Sequence, residues 1–447
     1  MKHLLARIGV SMLFITFPIF QLIAQAQSVS GVVTNQETDE AVSYASIFIK
    51  GSQIGTISNA EGDFVFYYPD SLAKDTLVIS AIGFHAYEIL LDTLTQKDSL
   101  PILLVPNPYT LDQVLLLSAD INPRELVQQA ILHIKKNYSR KPYYLKAFFR
   151  EMSFQDEVYQ RLIEAAIGIH DPGIRKNPNR IRIKVQELRK SEDYRELSLL
   201  QRGAQLLIGI KYNSLLALIS WDPVRNHQSI QDKPWAQANV WLRQAFLDRY
   251  VFELTDIVTE GEETYIKIGY SLPDSSKVWE AFLKEGSLLI HSQDYGIRQF
   301  EYQFKNNPLI HKTMIGLGDE SFLYKLHITY KKTQGIYYPD KIMLTTSGVD
   351  GIPFNLDVKR KQNRFAGGLR GTTFLLQVNE VVTNRKQMER IRKKESEKKE
   401  VDLYDKDFEY NEAFWAGYNA VPKDRKYISA KEDLERKSSL EQQFQKN

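Results

Sequence analysis

The sequence predicts a mainly β chain, α+β overall: a small N-terminal β-sandwich, a larger antiparallel β-rich domain with helical insertions, and a helical C-terminal tail. Three observations carry this. Between Gly31 and Phe84, short alternating strands are punctuated by glycines at turn positions. From Pro142 to about Thr383, successive runs alternate polar and apolar residues with the period of two that a half-buried strand requires. Helix start signals stand outside those runs, at Asn122-Pro123-Arg124-Glu125 and at Ser429 with Glu432.

Residues 1–26 have the layout of a cleaved secretory signal. Lys2 and Arg7 precede a nearly uncharged apolar run from Ile8 to Ile23, and Ala24-Gln25-Ala26 is an A-x-A cleavage site. That run of sixteen residues contains Pro18 and Gln21, whereas a spanning helix needs about 20 apolar residues. Export is therefore expected. Cysteine is absent, which excludes disulfides, Zn–thiolate sites, thiol catalysis and lipid attachment through an N-terminal cysteine. Basic and acidic residues number 58 and 55, so global charge makes no case for nucleic acid. The length of 447 residues, 43% of them hydrophobic, suits two or three folded domains with cores large enough to need no staples.

The first domain is expected over residues 27–105. Ala45, Ile47 and Ile49 share one strand face, and Phe64 and Phe66 do the same with Val65 opposite. Asn59-Ala60-Glu61-Gly62 fits a tight turn with its glycine at positive φ, and Gly83 marks a bend or bulge. The order Gly-x-Val, Ile-x-Ile-Lys-Gly, Gly-Thr-x-Ser, Gly-x-Phe-x-Phe and Ser-x-Ile-Gly-Phe resembles the carboxypeptidase regulatory-like domain. The resemblance covers about 80 residues and implies a seven-stranded, transthyretin-like sandwich serving as an accessory module. His85 and Glu88 do spell His-x-x-Glu, the opening of a zinc carboxypeptidase metal site. On a strand, however, positions i and i+3 face opposite ways and cannot converge on one ion. No carboxypeptidase activity follows from the resemblance.

Residues 106–141 read as a connector. Pro106-Asn107-Pro108 breaks the sandwich, and Leu111 to Leu117 could add an edge strand. Asn122 then caps a helix with Pro123 at its first position and Glu125 at its third. Val127, Ala130, Ile131 and Ile134 share one face, and Asn137 with Pro142 ends it.

The β-rich domain, possible half-barrel, is expected over 142–384. Its strands are Tyr144 to Phe149, Glu157 to Ile169, Tyr265 to Tyr270, Ser287 to Ser292, Ile297 to Phe304, Phe322 to Tyr330, Lys341 to Thr346 and Thr372 to Val382. Asn239 to Tyr250 suits a helix, and Asp350-Gly351 a hairpin turn. Leu323, Lys325, His327 and Thr329 alternate cleanly with Phe322, Tyr324, Leu326, Ile328 and Tyr330. Two stretches, Ala130 to Glu151 and Phe414-Trp415-Ala416-Gly417-Tyr418-Asn419 with Leu440 to Phe444, resemble a family of envelope proteins of Gram-negative bacteria. The series from Ala281 to Thr346 is similar, in strand order alone, to periplasmic lipoprotein-carrier and lipid-binding half-barrels. These resemblances imply the periplasm or the periplasmic face of the outer membrane.

Chemistry is sparse. Seven of the eight histidines lie outside the signal and are dispersed, with no His-x-His or His-Glu-x-x-His. No Gly-x-Ser-x-Gly elbow occurs, and Gly367 to Gly371 lacks the lysine and helix of a phosphate loop. No metal or cofactor is expected. Arg150 and Glu151 lie in the family-like stretch, where pairing within a sheet competes with a catalytic Glu151. Trp221, Trp235, Trp241 and Trp279, with Tyr337 and Tyr338, suit either a β-rich core or a ligand wall. Residues 385–447 form a charged helix and tail; Arg385 to Glu400 holds eight basic and four acidic residues, as a solvated helix would.

Arg150, Glu151, Trp221, Trp241 and Tyr337 are thus the candidate ligand or partner residues. The leading expectation is a non-enzymatic envelope protein with the sandwich as adaptor and the β-rich domain binding a protein, glycan or lipid. Peripheral association with the outer membrane belongs to the same expectation. A periplasmic lipid or lipoprotein carrier is the alternative, and a hydrolase with a spatially assembled site the third.

Overall fold

The computed structural model describes residues 26–94, 99–107, 121–174, 176, 180–195, 218–219, 222–226, 242–273, 282–306, 322–349, 369–396, 403 and 408–446. The signal-like segment, Leu111 to Leu117, Trp221, Trp235, Trp241, Trp279 and Asp350-Gly351 lie outside them.

The N-terminal unit has seven strands: β1 (Ala26–Asn35), β2 (Ser46–Ile49), β3 (Gly55–Ile57), β4 (Asp63–Pro69), β5 (Thr76–Ser80), β6 (Tyr87–Leu90) and β7 (Leu100–Leu104). They form two sheets, β4-β1-β7 and β3-β2-β5-β6. All pairings are antiparallel except β1 with β7. Alternation decides what fills the space between the sheets. Ala45, Ile47, Ile49 and Phe66 are fully buried there, Phe64 nearly so, with Leu77, Ile79, Ile102 and Leu104. Each such Ile, Leu or Phe side chain stabilises the fold by about 1.5–3 kcal/mol. The turn at Asn59 forms as the sequence indicates: Asn59 Oδ1 accepts from the backbone N–H of Glu61 (2.9 Å) and Asp63 (2.8 Å). Gly62 follows at φ +83°, where a Cβ would meet the Val33 carbonyl oxygen.

Helix α1 (Pro123–Asn137) starts where its cap predicts, with Asn122 Oδ1 accepting from Arg124 N (3.1 Å) and Glu125 N (3.3 Å). It is followed by β8 (Tyr143–Gln155), β9 (Val158–Asp171) and β10 (Arg182–Lys190). Two short helices, α2 (Pro223–Asn226) and α3 (Gln244–Arg249), lead to β11 (Val251–Glu260) and β12 (Glu263–Ser271). Then come β13 (Phe282–His291), β14 (Ile297–Asn306), β15 (Phe322–Thr333), β16 (Ile336–Val349) and β17 (Leu369–Val382). All ten strands from β8 onward make one antiparallel sheet, in the order β10-β9-β8-β17-β16-β15-β14-β13-β12-β11. The tail adds α4 (Arg385–Ser396), α5 (Glu412–Ala416), α6 (Arg425–Leu434) and α7 (Leu440–Lys446).

One face of this sheet is apolar. Phe149, Ile167, Ile268, Phe300, Ile328 and Ile342 line it in a single cluster with Val127, Ala130 and Ile134 of α1. Tyr138, just past the helix, donates its hydroxyl to the Ile297 carbonyl (2.6 Å) and fixes α1 on that face. The opposite face carries most of the charged side chains and is covered, with Phe148, Met152, Leu162 and Ala166 packed under the tail. Helices α5–α7 lie over β8–β10, and the sandwich lies over the β11–β17 side.

Three local expectations are corrected. Ser429 does not cap a helix: it lies inside α6, which begins earlier because Asp424 accepts from Tyr427 N (2.7 Å). The edge strands β10 and β11 are absent from the sequence reading, and α3 is shorter than the predicted 239–250. Among the described residues no helix is long and apolar enough to cross a membrane.

Candidate functional site

Three sets of contacts hold the sandwich on the polar face. At the first, Val381 N donates to the Gln53 carbonyl (3.3 Å), and Ile54 bridges to Glu380 on β17. At the second, the bend after β5 meets the β11–β12 turn. Gly83, at φ +87°, donates its N–H to the Thr259 carbonyl (2.6 Å), Gly261 N donates to the Phe84 carbonyl (3.2 Å), and Phe84 bridges to Glu260. The third is in the tail. The Asn419 side chain accepts from Tyr67 N (2.7 Å) and donates to the Tyr67 carbonyl (2.9 Å), as a neighbouring strand would. Its own carbonyl accepts from Asn379 Nδ2 (2.8 Å) on β17. One asparagine thus ties sandwich, tail and sheet together.

Between these attachments lies a cleft of about 370 Å³. The sandwich contributes Val42, Tyr44, Ser46, Ala81, Ile82 and Phe84; the sheet contributes Glu260, Arg298, His327, Thr329, Asp340 and Lys341. Strand alternation puts His327, Thr329 and Lys331 of β15 on the same polar face as Lys341 of β16, opposite Ile328 and Ile342.

Arg298 is fully committed. Its Nε and Nη2 donate to the two Glu260 oxygens (2.8 and 3.0 Å), and Nη1 donates to the Tyr330 carbonyl (2.8 Å). Burial opposes ionisation of Glu260, but Arg298 outweighs it and holds the carboxyl below its ordinary value. The two lysines differ. Lys331 Nζ sits 3.4 Å from the centre of the Phe48 ring, and Lys341 Nζ 4.9 Å from that of Tyr44. Neither has a carboxylate within 4.0 Å among the described residues. Burial, with Arg298 adding repulsion against the attraction of Asp340 and Glu260, pushes both down to about 8. Burial first, then Lys341, Lys325, Arg298 and Lys267, pushes His327 down to about 3. Its Nε2 is buried without a partner. The cleft floor therefore holds a neutral imidazole in a positive field.

The sequence candidates fall elsewhere. Arg150 and Glu151 point to opposite faces of β8 and do not pair with each other. Arg150 donates through Nε to Glu164 of β9 (2.8 Å) and through Nη2 to the Val421 carbonyl of the tail (2.7 Å). Arg189 of β10 pairs with the other Glu164 oxygen (2.7 Å), so one cross-strand row reads Arg-Glu-Arg. Burial opposes ionisation of Glu164, but Arg189 and Arg150 prevail and lower its pKa. Glu151 pairs with Arg161. Tyr337 is buried beside Tyr138 (centroids 5.6 Å) and hydrogen-bonds Asp294 (3.3 Å), within the apolar cluster.

Two histidine–acid groups also form. His170 Nε2 meets Glu395 of α4 (2.6 Å), which also accepts from Tyr144. His291 lies between Asp294 (3.0 Å) and Glu263 (2.5 Å). The Asp294 hydrogen bond leads in raising its pKa, against burial and with help from Glu263. Among the described residues neither histidine hydrogen-bonds a serine or threonine hydroxyl that it would activate. Among the described residues no three His, Asp or Glu side chains are placed to hold a metal ion. Glu88, of the His-x-x-Glu sequence, instead ion-pairs with Lys50 (2.7 Å).

Residues 29–116 match the family model of the CarboxypepD_reg-like domain. The match covers the sandwich, and with it the Gly83 bend that docks on β11. No curated protein matches the chain. Among solved structures, a LolA superfamily protein from Nitrosomonas europaea is similar at 10% identity, over 59% of this chain and 94% of that one, with a TM-score of 0.20. A domain described as an outer membrane lipoprotein-sorting protein, from Vibrio parahaemolyticus, is similar at 6% identity, over 61% and 99%, with a TM-score of 0.23. The MucA/MucB complex of Pseudomonas aeruginosa gives 8% identity over 61% and 97%, with a TM-score of 0.17. Scores this low do not make a shared fold.

Proposed function

We propose that this is a non-enzymatic, exported binding protein of the cell envelope, with its ligand site in the cleft between the regulatory-like sandwich and the polar face of the sheet. The observation that carries the reading is the cleft itself. Its volume of about 370 Å³ lies within the range of about 300–1,000 Å³ typical of small-molecule sites. It combines apolar walls with a few polar groups, among them the buried His327 Nε2 that has no protein partner. The sandwich acts as the adaptor: docked at three places, it turns an open polar face into an enclosed one. Export and an envelope location rest on the signal-like N-terminus.

Native mass spectrometry of protein recovered from the periplasm tests this. A bound small molecule is expected, and Ala81→Trp, which fills the cleft, should release it. Retention of the same mass in that variant would overturn the assignment.

A lipid or lipoprotein carrier is the second reading. It would seat acyl chains on the apolar face beneath α1, where the side chains form one buried cluster that would have to open to admit them. Under that reading the recovered molecule carries acyl chains and stays bound in Ala81→Trp.

A further inference from the structure

We propose that the cleft takes a small organic anion, its carboxylate or phosphate paired with Lys341 and its apolar part against Val42, Ala81, Ile82 and Phe84. This rests on the reading of the cleft as the binding site.

Lys341 is only 7% exposed and lines the cleft, yet no carboxylate or hydrogen-bond acceptor among the described residues satisfies its ammonium. Asp340, next to it in sequence, accepts from Thr329 Oγ1 (3.4 Å). Glu260 is held by Arg298. The π-face of Tyr44 offers Lys341 a weaker contact than an anion would. His327 Nε2, the other unpartnered polar atom of the floor, can donate to the same anion in its Nε2–H tautomer. A cationic guest would meet the Lys341 ammonium and the Arg298 guanidinium that already holds Glu260, with Glu40 and Asp340 as the remaining carboxylates of the cleft.

The groups that set the pH response are Glu40 and Tyr44 on the sandwich, Glu260 on β11, Lys267 on β12, Arg298 and Glu301 on β14, Lys325, His327 and Lys331 on β15, and Asp340 beside Lys341 on β16. Lys341 must be protonated to pair. Affinity should therefore fall as pH rises above about 8. A free anion and an anionic lipid headgroup share this chemistry.

The test is calorimetric titration of the full exported chain with hexanoate, hexyl phosphate, hexylamine, and phosphatidylcholine vesicles with and without phosphatidylglycerol. At least one hexyl anion should bind and hexylamine should not. Lys341→Met, or Lys341→Gln should Met disturb folding, should weaken the anion by about tenfold or more, with partial recovery in Lys341→Arg. Binding confined to phosphatidylglycerol vesicles, lost in the same variants, assigns the anion to a lipid headgroup. Equal binding of hexylamine, no binding of any anionic probe, or indifference to Lys341→Met overturns the inference. If Ala81→Trp still abolishes whatever binds, the cleft reading survives that failure; indifference to Ala81→Trp removes both.

Discussion

The polar face of the ten-stranded sheet is covered twice, and the two halves treat buried charge differently. Under the tail, Arg150, Glu164 and Arg189 form a closed row with two guanidiniums on one carboxylate, capped by the Val421 carbonyl and by Trp415, 4.2 Å from the Arg189 guanidinium. Under the sandwich, Arg298 and Glu260 close one pair, but Lys331 and Lys341 meet aromatic rings without a carboxylate partner, and His327 Nε2 has no hydrogen-bond partner. Saturated charges beneath helices are what a structural seam requires. Unsaturated ones around a void are costly in an empty protein, and a ligand can satisfy them. The comparison places structure at the Arg150 row and binding at Lys341.

Glu164→Gln should break the first half. It leaves two guanidiniums buried against one neutral amide, a loss of about 3–5 kcal/mol. Urea unfolding checks it, and a loss under 1 kcal/mol would mean the row is not the closed network described. Asn419→Ala comes next. It removes the two side-chain hydrogen bonds that tie the tail to Tyr67 of β4, at about 1–3 kcal/mol, and leaves the backbone carbonyl that accepts from Asn379. Hydrogen exchange should then quicken at Tyr67 while the Ile47 and Phe66 core stays protected. Gly83→Ala tests the second attachment. A side chain at φ +87° costs about 1 kcal/mol, and amide exchange at Gly261 should rise with it.

Much of this was legible in the sequence. Alternation located the inward faces of β2 and β4, and the Asn122-Pro123-Glu125 pattern located α1, because local rules govern both. The strands that escaped, β10 and β11, are the two edges of the sheet. Each has one neighbour, and their burial is interrupted by half-exposed positions, so neither shows a clean period. Ser429-x-x-Glu432 satisfies the capping pattern equally well inside a helix, and only the Asp424 contact to Tyr427 N shows where α6 begins. The cleft residues were hidden for a different reason. His327 looks solvated because it alternates with apolar neighbours, Lys341 because it follows Asp340, and no periodicity reveals that a second domain will cover that wet face. The Phe414–Asn419 motif did carry a signal, and the three-way contact of Asn419 gives it a physical basis.

The smallest expected effect has the opposite sign and separates the halves most sharply. Lys341→Met removes a buried ammonium that lacks an anion, so at pH 7 the ligand-free protein should gain about 1 kcal/mol rather than lose stability. The pH dependence follows from the direction of the shift. Lys341 titrates at about 8 in the folded chain and at about 10.4 when unfolded. Between those values the unfolded chain binds more protons, so wild-type stability rises with pH across the window. In Lys341→Met that rise should shrink, and the two denaturation curves should converge by about pH 10. Parallel curves from pH 7 to 10 would mean that Lys341 is solvated, which would return this half of the face to ordinary surface. Glu164→Gln should show no such convergence, since the charges it strands are guanidiniums that stay protonated throughout.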